Sequence, residues 1–474
     1  MRTLRLGWVL HHKFKNGAFD RNKARLVARG NHQVAGVDYG ESFSPVMRLE
    51  SLRTILALAA IRDLDIVQFD ITSAYLHGTL KEELYVEQPD GYKVSGEGDY
   101  VWRLKKGLYG LVQAGRTWNK ELDSHMVGVG LTASPKDPAI YVKGDWNQCD
   151  FVAGGFWVDD FVGIGSGEGL QELARGMDEK YGITGYSEVR WVLGMLLERD
   201  REGRKISLSQ EAFIDSILAR FDLSEAAPVA TPLQLNVQLS SADCPNSQVE
   251  IDDMWKYPYR ELVGALAWLA LGTRPDIAFT ASSLARFGHN PARSHWEAVK
   301  RVLRYLKGTK TWRLTLGGTS STMAVFTDAD WGSHQDDRRL IGTYLVKIGN
   351  SVVSWKSKKQ TCVALSSTEA EYMALCQASK ESVWMADFLI SLGVLVCPVV
   401  INTDNQGSIA LAKNPVFHDR SKHIDIQYHF ARDLIKAGRI TLNYMPMADM
   451  LADLLTKSLP RVRHISLSRA IGLF

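Results

Sequence analysis

Apolar and polar residues alternate in short segments of the N-terminal half, and this pattern predicts strands that carry acidic side chains. The segment DLDIVQFD predicts a strand with Asp70 at its end, followed by a turn into a helix over ITSAYLHG. In FVAGGFWVDDFVGIG, two apolar runs flank Asp159 and Asp160, which predicts a hairpin with both acids at its tip. The acidic residues are therefore expected at strand ends.

Helical spacing dominates the middle of the chain, and alternation returns towards the C-terminus. In residues 210–221 one helix face would carry Phe213, Ile217, Leu218 and Phe221. Further helices are predicted at 261–271, 296–306, 369–389 and 425–436, and strands at 324–326, 341–348, 351–355 and 399–402. This pattern is typical of an α/β or α+β protein.

Two changes in composition divide the chain into three predicted domains. Residues 223–253 are small and polar without helical or alternating periodicity, as in a linker. A second break, GGTSST, precedes the next alternating run. The predicted domains are therefore residues 1–222, 223–318 and 319–474.

The composition is that of a folded, soluble protein. Of 474 residues, 45% are hydrophobic and 23% are charged, which excludes wholesale disorder. The net charge of +3 is too small to indicate a partner by itself. Five cysteines without a CxxC pair argue against a disulfide framework and a zinc ribbon. The longest apolar stretches, 54–61 and 262–271, are too short to span a membrane, so we expect a soluble protein in a reducing compartment.

The adjacent Asp159 and Asp160 need a cationic partner, because carboxylates about 4 Å apart repel by about 4 kcal/mol at an effective dielectric constant of about 20. Side chains alternate along a strand, so only one of the two is expected to share a site fully with Asp70. Carboxylates from different strands, together with substrate phosphates, commonly hold Mg²⁺. The alternative is a hairpin tip capped by its aspartates.

Residues 293–313 are strongly basic, with seven Lys or Arg residues and only Glu297 acidic. Helical spacing places the apolar residues 299, 302, 303 and 306 on one face. The side chains left pointing outward are those of Lys300, Arg301, Arg304 and Lys307. This face predicts contacts with a phosphate backbone, with a merely solvated helix face as the alternative.

Acidic residues also recur through the last predicted domain, alternating between strand and helix patterns. They are Asp328 in FTDADW, Glu369 and Glu371 in STEAEYMAL, Asp404 in NTDNQGS and Asp453 in LADLLTK. Each acid alone is more typical of a solvated surface. Three histidines nearby, His418, His423 and His429, match no usual zinc-finger spacing and have no cysteine beside them.

Several long motifs follow one another in an order that resembles a known family. They are KARLVARG, GVDYGESFSPV, VQFDITSAYLHG, YVEQPDGY, LYGLVQAGRTW and WVDD. This order resembles the reverse transcriptase of copia-type LTR retrotransposons, and the resemblance continues into the last domain. It implies an α+β protein, a Pol polyprotein fragment. Residues 1–222 would form the fingers and palm of a right-hand polymerase, 223–318 a linker with the helical thumb and connection, and 319–474 an α/β ribonuclease H-like domain.

The resemblance implies a polymerase site. Asp70, Asp159 and Asp160 would be its carboxylates, with Asp70 and Asp159 the main metal ligands. Tyr75 would crowd the 2′ position of the incoming nucleotide and so favour dNTPs over NTPs; the alternative for Tyr75 is a core aromatic.

The resemblance also implies contacts with the nucleotide and a second site. Gln113 would lie against the incoming nucleotide and the primer terminus. Lys23 and Arg25 would grip the triphosphate, with solvated surface charges as the alternative. The carboxylates of the ribonuclease H site would be Asp328, Glu371, Asp404 and Asp453, with Glu369 as the alternative to Glu371.

The implied function is that of an RNA- and DNA-directed DNA polymerase with ribonuclease H activity, using two Mg²⁺ ions, or Mn²⁺, in each active site. Its partners would be an RNA template, a DNA primer, the RNA–DNA hybrid, dNTPs and other Pol products such as integrase and protease. We expect it in the cytoplasm, within a virus-like particle, or in the nucleus. A second hypothesis is a catalytically silent or host-adopted remnant that only binds nucleic acid.

Three departures from the family pattern stand out. Trp157 replaces the usual tyrosine before Val-Asp-Asp, and Gly115 stands where proline is common. Leu340 and Ile341 replace small hydroxyl residues, which calls one strand of the last domain into question. The chain is expected to be either a processed piece of a polyprotein or a truncated copy.

Overall fold

A computed structural model describes residues 2–15, 18–94, 96, 100–235, 237, 239–330, 336, 339–364, 366–394, 398–413 and 425–474. Helices and strands are both abundant, so the protein has mixed α and β content. Among the described residues, none of the helices combines the length and the hydropathy that crossing a bilayer requires.

The strands, in chain order, are β1 Thr3–Leu4, β2 Leu6–Lys15, β3 Ala18–Ala28, β4 Asp65–Ile71, β5 Thr79–Glu87, β6 Val101–Lys106, β7 Thr132–Ala133, β8 Ile140–Lys143, β9 Val152–Trp157, β10 Asp160–Gly165, β11 Ile183–Glu188, β12 Trp191–Val192, β13 Met195–Asp200, β14 Lys205–Ser209, β15 Leu314–Gly317, β16 Met323–Ala329, β17 Ile341–Ile348, β18 Ser351–Lys359, β19 Val399–Thr403 and β20 Ile440–Tyr444. The helices are α1 Leu49–Arg62, α2 Ala114–Gly128, α3 Gly167–Tyr181, α4 Glu211–Arg220, α5 Gln248–Met254, α6 Tyr259–Gly272, α7 Ala278–Ala285, α8 Arg293–Gly308, α9 Ser367–Ser391, α10 Gln406–Lys413, α11 Asp425–Lys436, α12 Asp453–Thr456 and α13 Arg461–Ala470.

Backbone contacts divide the chain into two compact units. The first unit comprises Met1–Arg48 and Asp65–Glu188, and the second comprises Leu49–Leu64 and Val189–Phe474. The first unit contains an antiparallel sheet in the order β11-β4-β10-β9-β8-β7, a smaller sheet β1-β5-β6 and the β2–β3 hairpin. Helices α2 and α3 pack with the larger sheet through an apolar core that includes Trp118, Met126 and Met177.

The described part of the second unit contains two sheets. A four-stranded sheet has the order β12-β13-β14-β15, and a five-stranded sheet has the order β18-β17-β16-β19-β20. In the larger sheet β16, β17 and β18 form an antiparallel meander, whereas β19 and β20 run parallel to β16. The long helix α9 packs on this sheet with an almost continuous run of buried residues between positions 369 and 379.

Helix α1 belongs to the second unit, where it packs against β14, β15 and β18. Its residues from Ser51 to Ile61 are all buried, because no side of this helix is left for water. Arg53 is buried in the same helix and donates hydrogen bonds to the carbonyl oxygens of Val353, Leu271 and Gly272 at 2.7, 2.7 and 3.1 Å. Its guanidinium lies 4.0 Å from the centre of the Trp355 ring.

Most of the predicted elements are confirmed, including the strand that ends near Asp70 and the hairpin of β9 and β10. The segment after Asp70 forms only a short 3-10 turn, Ala74–Leu76, instead of the predicted helix. On α4 the predicted Ile217 and Leu218 are buried together with Ile214, whereas the predicted Phe213 and Phe221 are half-buried. Strand β17 forms despite the unusual Leu340 and Ile341, which are both buried.

The predicted domain boundaries at residues 222 and 318 both fall inside the second unit and stay predictions. Residues 49–64 and 189–222, which were expected with the first domain, lie in this unit. The reason is long-range pairing: β14 hydrogen-bonds to β15, about a hundred residues later in the chain, and α1 packs beneath both.

Candidate active sites

The first site is built at the end of the largest sheet of the first unit. In the antiparallel pairing of β4 with β10, Asp70 stands directly opposite Asp160. The backbone N–H of Ile71 donates to the carbonyl oxygen of Asp159 at 2.8 Å, which joins the end of β4 to the hairpin turn. Strand pairing therefore brings all three predicted polymerase carboxylates together.

The turn of this hairpin is held in an unusual conformation. Val158 has φ of +63°, a left-handed region that β-branched residues rarely adopt and that costs about 1–3 kcal/mol. Trp118, which is buried, donates from Nε1 to the carbonyl oxygen of Val158 at 2.8 Å and so anchors the turn. Asp159 lies in the turn rather than in β10, so the alternation rule that predicted opposite directions for Asp159 and Asp160 does not apply to it.

Asp70, Asp159 and Asp160 interact electrostatically with one another. Burial raises the pKa of Asp160 to about 6, and the negative charges of Asp70 and then Asp159 add to this shift. Burial also raises the pKa of Asp70, and the negative charge of Asp159 raises it further. Because Asp70 and Asp160 both resist ionisation, a cation bound here would stabilise their charged forms.

Basic side chains of the β2–β3 hairpin face this acidic cluster. The positive charges of Lys23, Arg25 and Lys13 each oppose the rise in the pKa of Asp70. Burial lowers the pKa of Lys23, and the charges of Arg25 and Lys13 lower it further. The predicted Lys23 and Arg25 thus lie near the carboxylates, and Lys13 joins them although the sequence analysis did not select it.

Two tyrosines connect these charged groups. The rings of Tyr75 and Tyr109 meet edge to face, with centroids 5.0 Å apart and an interplanar angle of 73°. The guanidinium carbon of Arg25 lies 5.6 Å from the centre of the Tyr109 ring. Burial raises the pKa of both tyrosines, and the charge of Asp159 adds to each shift. Tyr75 is thus close enough to feel the charge of Asp159 while its ring packs against the apolar cores of the first unit, and its proposed role at the 2′ position stays a prediction.

The side chain of Gln113 is buried and hydrogen-bonded within the first unit. It is 1% exposed, its Oε1 accepts a hydrogen bond from Gln33 Nε2 at 3.1 Å, and its Nε2 donates to the carbonyl oxygen of Asp38 at 3.0 Å. Its amide group thus joins the loop before α1 to the start of α2. The predicted contact with an incoming nucleotide stays a prediction.

The second site lies in the second unit, at the edge where two parallel strands end. Asp328 is near the end of β16, and Asp404 directly follows the parallel strand β19. Glu371 reaches the same place from α9. Carboxylate oxygens of Asp328, Glu371 and Asp404 all lie within 4.8 Å of one another, and in the part of the chain that the structure describes this is the group found with metal-site spacing.

The chemistry of this trio fits a divalent cation with oxygen ligands. Glu371 is 7% exposed, and its Oε2 is buried with no hydrogen-bond partner among the described residues. Burial raises the pKa of Glu371 to about 10, and the charges of Asp328 and Asp404 add to this shift. A buried, unpaired carboxylate oxygen beside two further carboxylates needs either a proton or a cation. Glu371, rather than the alternative Glu369, belongs to this trio.

The fourth predicted acid, Asp453, lies next to the trio at the start of α12. Lys457 Nζ is 2.6 Å from Asp453 Oδ1 and 4.0 Å from Asp328 Oδ2. Thr456 donates from Oγ1 to Asp328 Oδ2 at 2.7 Å. Burial raises the pKa of Asp453, and the hydrogen bond from Lys457 opposes this shift. Helix α12 and the residue after it therefore supply an acid, the lysine that pairs with this acid, and a hydroxyl that donates to Asp328.

The predicted basic face of α8 is partly covered by the chain itself. As predicted, Val299, Val302, Leu303 and Leu306 are buried. Arg304 Nε donates to the carbonyl oxygen of Ala227 at 2.7 Å, and Arg301 Nη2 donates to Thr231 Oγ1 at 3.1 Å. Lys300 pairs with Glu297 at 2.7 Å, and Lys307 is half-buried. Two of the four side chains that were predicted to contact phosphates thus form hydrogen bonds to residues 227–231 of the same chain.

The remaining candidates are the histidines. His418 and His423 lie outside the described residues, and the side chain of His429 does as well. The groups that the sequence analysis missed are Lys13, Tyr109, Thr456 and Lys457. Tyr109 lies inside the motif LYGLVQAGRTW and Lys457 lies inside LADLLTK, so motif membership was the signal that could have found them.

Comparison with known proteins agrees with the motif order. Residues 1–235 match the family described as reverse transcriptase (RNA-dependent DNA polymerase). The Pol polyprotein of transposon TNT 1-94 from Nicotiana tabacum is 40% identical over 100% of this chain and 36% of its own length. That of transposon RE2 from Arabidopsis thaliana is 38% identical over 98% of this chain and 32% of its own.

Among solved structures, a foamy viral protease-reverse transcriptase in complex with dsDNA is 12% identical, with a TM-score of 0.46, over 92% of this chain and 77% of the other. The chain spans about a third of the length of the curated relatives it matches. With motifs, family match and whole-chain similarity in agreement, the chain belongs to the copia-type reverse transcriptases of retrotransposon Pol polyproteins.

Proposed function

We propose that the chain is an RNA- and DNA-directed DNA polymerase that also hydrolyses the RNA strand of an RNA–DNA hybrid. The observation that carries the polymerase function is the pairing of β4 with β10, which gathers Asp70, Asp159 and Asp160 opposite the cations of the β2–β3 hairpin. This arrangement separates an acidic region from a basic region within one unit. The acidic region suits metal ions, and the basic region suits the phosphates of a dNTP.

In the polymerase site, Asp70 and Asp159 would be the main metal ligands, with Asp160 beside them. Bound Mg²⁺ or Mn²⁺ would activate the primer hydroxyl and stabilise charge on the leaving pyrophosphate. Lys23 and Arg25 would bind and orient the triphosphate, and Tyr75 would exclude a 2′-hydroxyl by its bulk. The sheet that carries the carboxylates would be the palm, and the β2–β3 hairpin part of the fingers. Residues 223–318 would supply the thumb and connection.

The ribonuclease H function is supported by the trio Asp328, Glu371 and Asp404 on the five-stranded sheet of the second unit. An antiparallel meander followed by two parallel strands and a long packed helix is consistent with a ribonuclease H-like domain. Asp328, Glu371, Asp404 and Asp453 would hold the metal ions. The substrate would be an RNA–DNA hybrid recognised by backbone and shape, so little sequence preference is expected.

The test is extension of a labelled DNA primer on a labelled RNA template by the purified chain, with dNTPs and Mg²⁺, followed on one gel. We expect extension together with template cleavage. Asp159→Asn should abolish extension and leave cleavage, whereas Glu371→Gln should do the reverse. Each variant is thus the control for the other, because the two substitutions lie in different units.

The competing hypothesis is a catalytically silent remnant. Retention of hybrid binding without extension or cleavage, in Mg²⁺ and in Mn²⁺, would favour it and contradict the proposed activities. Integrase and protease from the same polyprotein remain proposed partners, to be tested by co-purification with this chain.

A further inference from the structure

We propose that Tyr109 is a positioning residue that sets the dNTP specificity of the polymerase site by connecting Arg25 with Tyr75. The inference rests on the proposed polymerase function and concerns a residue that the motif-based site assignment did not include. The ligand class is the incoming deoxynucleoside triphosphate. Tyr109 would not touch the reacting atoms; it would act through its two neighbours.

The first observation is that the Tyr109 ring contacts two of the side chains proposed for the polymerase site. It meets the Tyr75 ring edge to face at a centroid distance of 5.0 Å. The guanidinium carbon of Arg25 also lies 5.6 Å from its centre, within the range of a cation–π contact. One ring therefore contacts both the group proposed to read the sugar and a group proposed to hold the triphosphate.

The second observation is that the backbone of Tyr109 is fixed to the strand that carries Arg25. The N–H of Ala28, at the end of β3, donates to the carbonyl oxygen of Tyr109 at 2.8 Å. Gly110 follows with φ of +89°, and a Cβ at this position would overlap the carbonyl oxygen of Ala28. Only glycine permits this approach, so Tyr109 and β3 are held together at short range.

These contacts have a functional consequence. Because the Tyr109 backbone is held at β3, its ring would restrict the movement of the Tyr75 ring that packs against it. A Tyr75 ring that can move backward admits a 2′-hydroxyl, whereas a ring that is held in place excludes it. Removal of the Tyr109 ring should therefore loosen sugar discrimination and weaken triphosphate binding without removing any carboxylate.

The experiment is single-nucleotide incorporation with dGTP and with GTP on the same primer and template. The proteins are the wild type, Tyr109→Leu, Tyr109→Phe and the control Tyr100→Leu, whose side chain is exposed. In Tyr109→Leu the ratio of kcat/KM for dGTP to that for GTP should fall by about two- to tenfold, the range expected of one aromatic pair. The KM for dGTP should rise more than kcat falls. Tyr109→Phe should keep most of the discrimination because it keeps the ring.

The outcomes separate this role from a general structural one. An unchanged ratio in Tyr109→Leu, or an equal loss in Tyr109→Phe, would overturn the role of Tyr109 while leaving the polymerase function intact. A wild-type chain that incorporates neither nucleotide would contradict the polymerase function and the inference together. If Tyr109→Leu does not fold, as judged by thermal unfolding, Tyr109→Met removes the ring with an unbranched side chain and carries the same expected loss.

Discussion

Asp160 lies directly opposite Asp70 in the antiparallel pairing of β4 with β10. The register of the sheet thus forces two carboxylates together, and the pKa of Asp160 rises to about 6 through burial and the charges of Asp70 and Asp159. A carboxyl group with a raised pKa is bound to a proton more tightly in the folded protein than in the unfolded chain. Its contribution to stability is lost as the pH rises towards 6, unless a cation replaces the proton.

Removal of the Asp70 charge, which lies opposite Asp160, should reduce the rise in the pKa of Asp160. We expect Asp70→Asn to lower the pKa of Asp160 towards the ordinary aspartate range, because the largest electrostatic cause after burial is gone. Carboxyl ¹³C NMR titration in EDTA measures this directly. Asp90→Asn, which alters an exposed carboxylate, should leave the Asp160 titration where it is. A pKa for Asp160 that does not move in Asp70→Asn would contradict the shared site.

Glu371 should make the metal-free protein less stable as the pH rises. The pKa of Glu371 is raised to about 10 by burial and by Asp328 and Asp404, so the folded protein holds a proton that the unfolded chain has lost above about pH 4.3. Between these values the free energy of unfolding falls with pH, by up to about 1.4 kcal/mol per unit for one proton.

Denaturant unfolding in EDTA from pH 5.5 to 8.5 tests this slope. Glu371→Gln should reduce the fall in the free energy of unfolding per pH unit by the contribution of about one proton. Glu297→Gln, at an exposed position, should leave this slope unchanged. Equal slopes in the wild type and Glu371→Gln would show that Glu371 is ionised in the folded protein. Addition of Mg²⁺ should stabilise the wild type more than the Gln variant, because the variant lacks one carboxylate ligand.

Arg53 should be among the most sensitive positions of the second unit. Its hydrogen bonds go to carbonyl groups of three residues in β18 and α6, and those of Val353 and Gly272 are in buried surroundings, so Arg53→Met leaves these acceptors without their donor. We expect a loss of about 3 kcal/mol or more in the free energy of unfolding. Arg220→Met, which removes an exposed pair with Glu261, should cost about 1 kcal/mol or less. Similar losses for both variants would contradict the structural role of Arg53.

The basic face of α8 should separate into two functional classes. Lys300→Gln with Lys307→Gln should reduce the salt dependence of hybrid binding, by a slope of about 0.7–0.9 for each phosphate that the variant no longer neutralises. Arg301→Gln with Arg304→Gln should mainly lower thermal stability, because these residues hold Thr231 and Ala227. Measurements of binding across a range of salt concentrations, together with thermal unfolding, distinguish the two pairs. An unchanged salt slope in the lysine pair would contradict phosphate binding by this face.

Much of each site was predictable because its parts are local in the sequence. The strand that delivers Asp70, the hairpin that presents Asp159 and Asp160, and the helix that carries Glu371 all follow from short periodic patterns. The motif order then pointed to the family, since it needs only neighbouring residues to be read. Local pattern also placed the buried face of α8 correctly.

Other features depend on which distant segments meet, and only the tertiary structure decided them. The burial of Gln113 depends on Gln33 and Asp38, and the covering of Arg304 depends on Ala227. Tyr109 gains its neighbours because β3 approaches its backbone. Periodicity reports which face of an element is apolar but not which partner covers it. The sequence alone therefore determined the family, the elements and the carboxylates, whereas long-range packing and strand register decided how these groups are paired and buried.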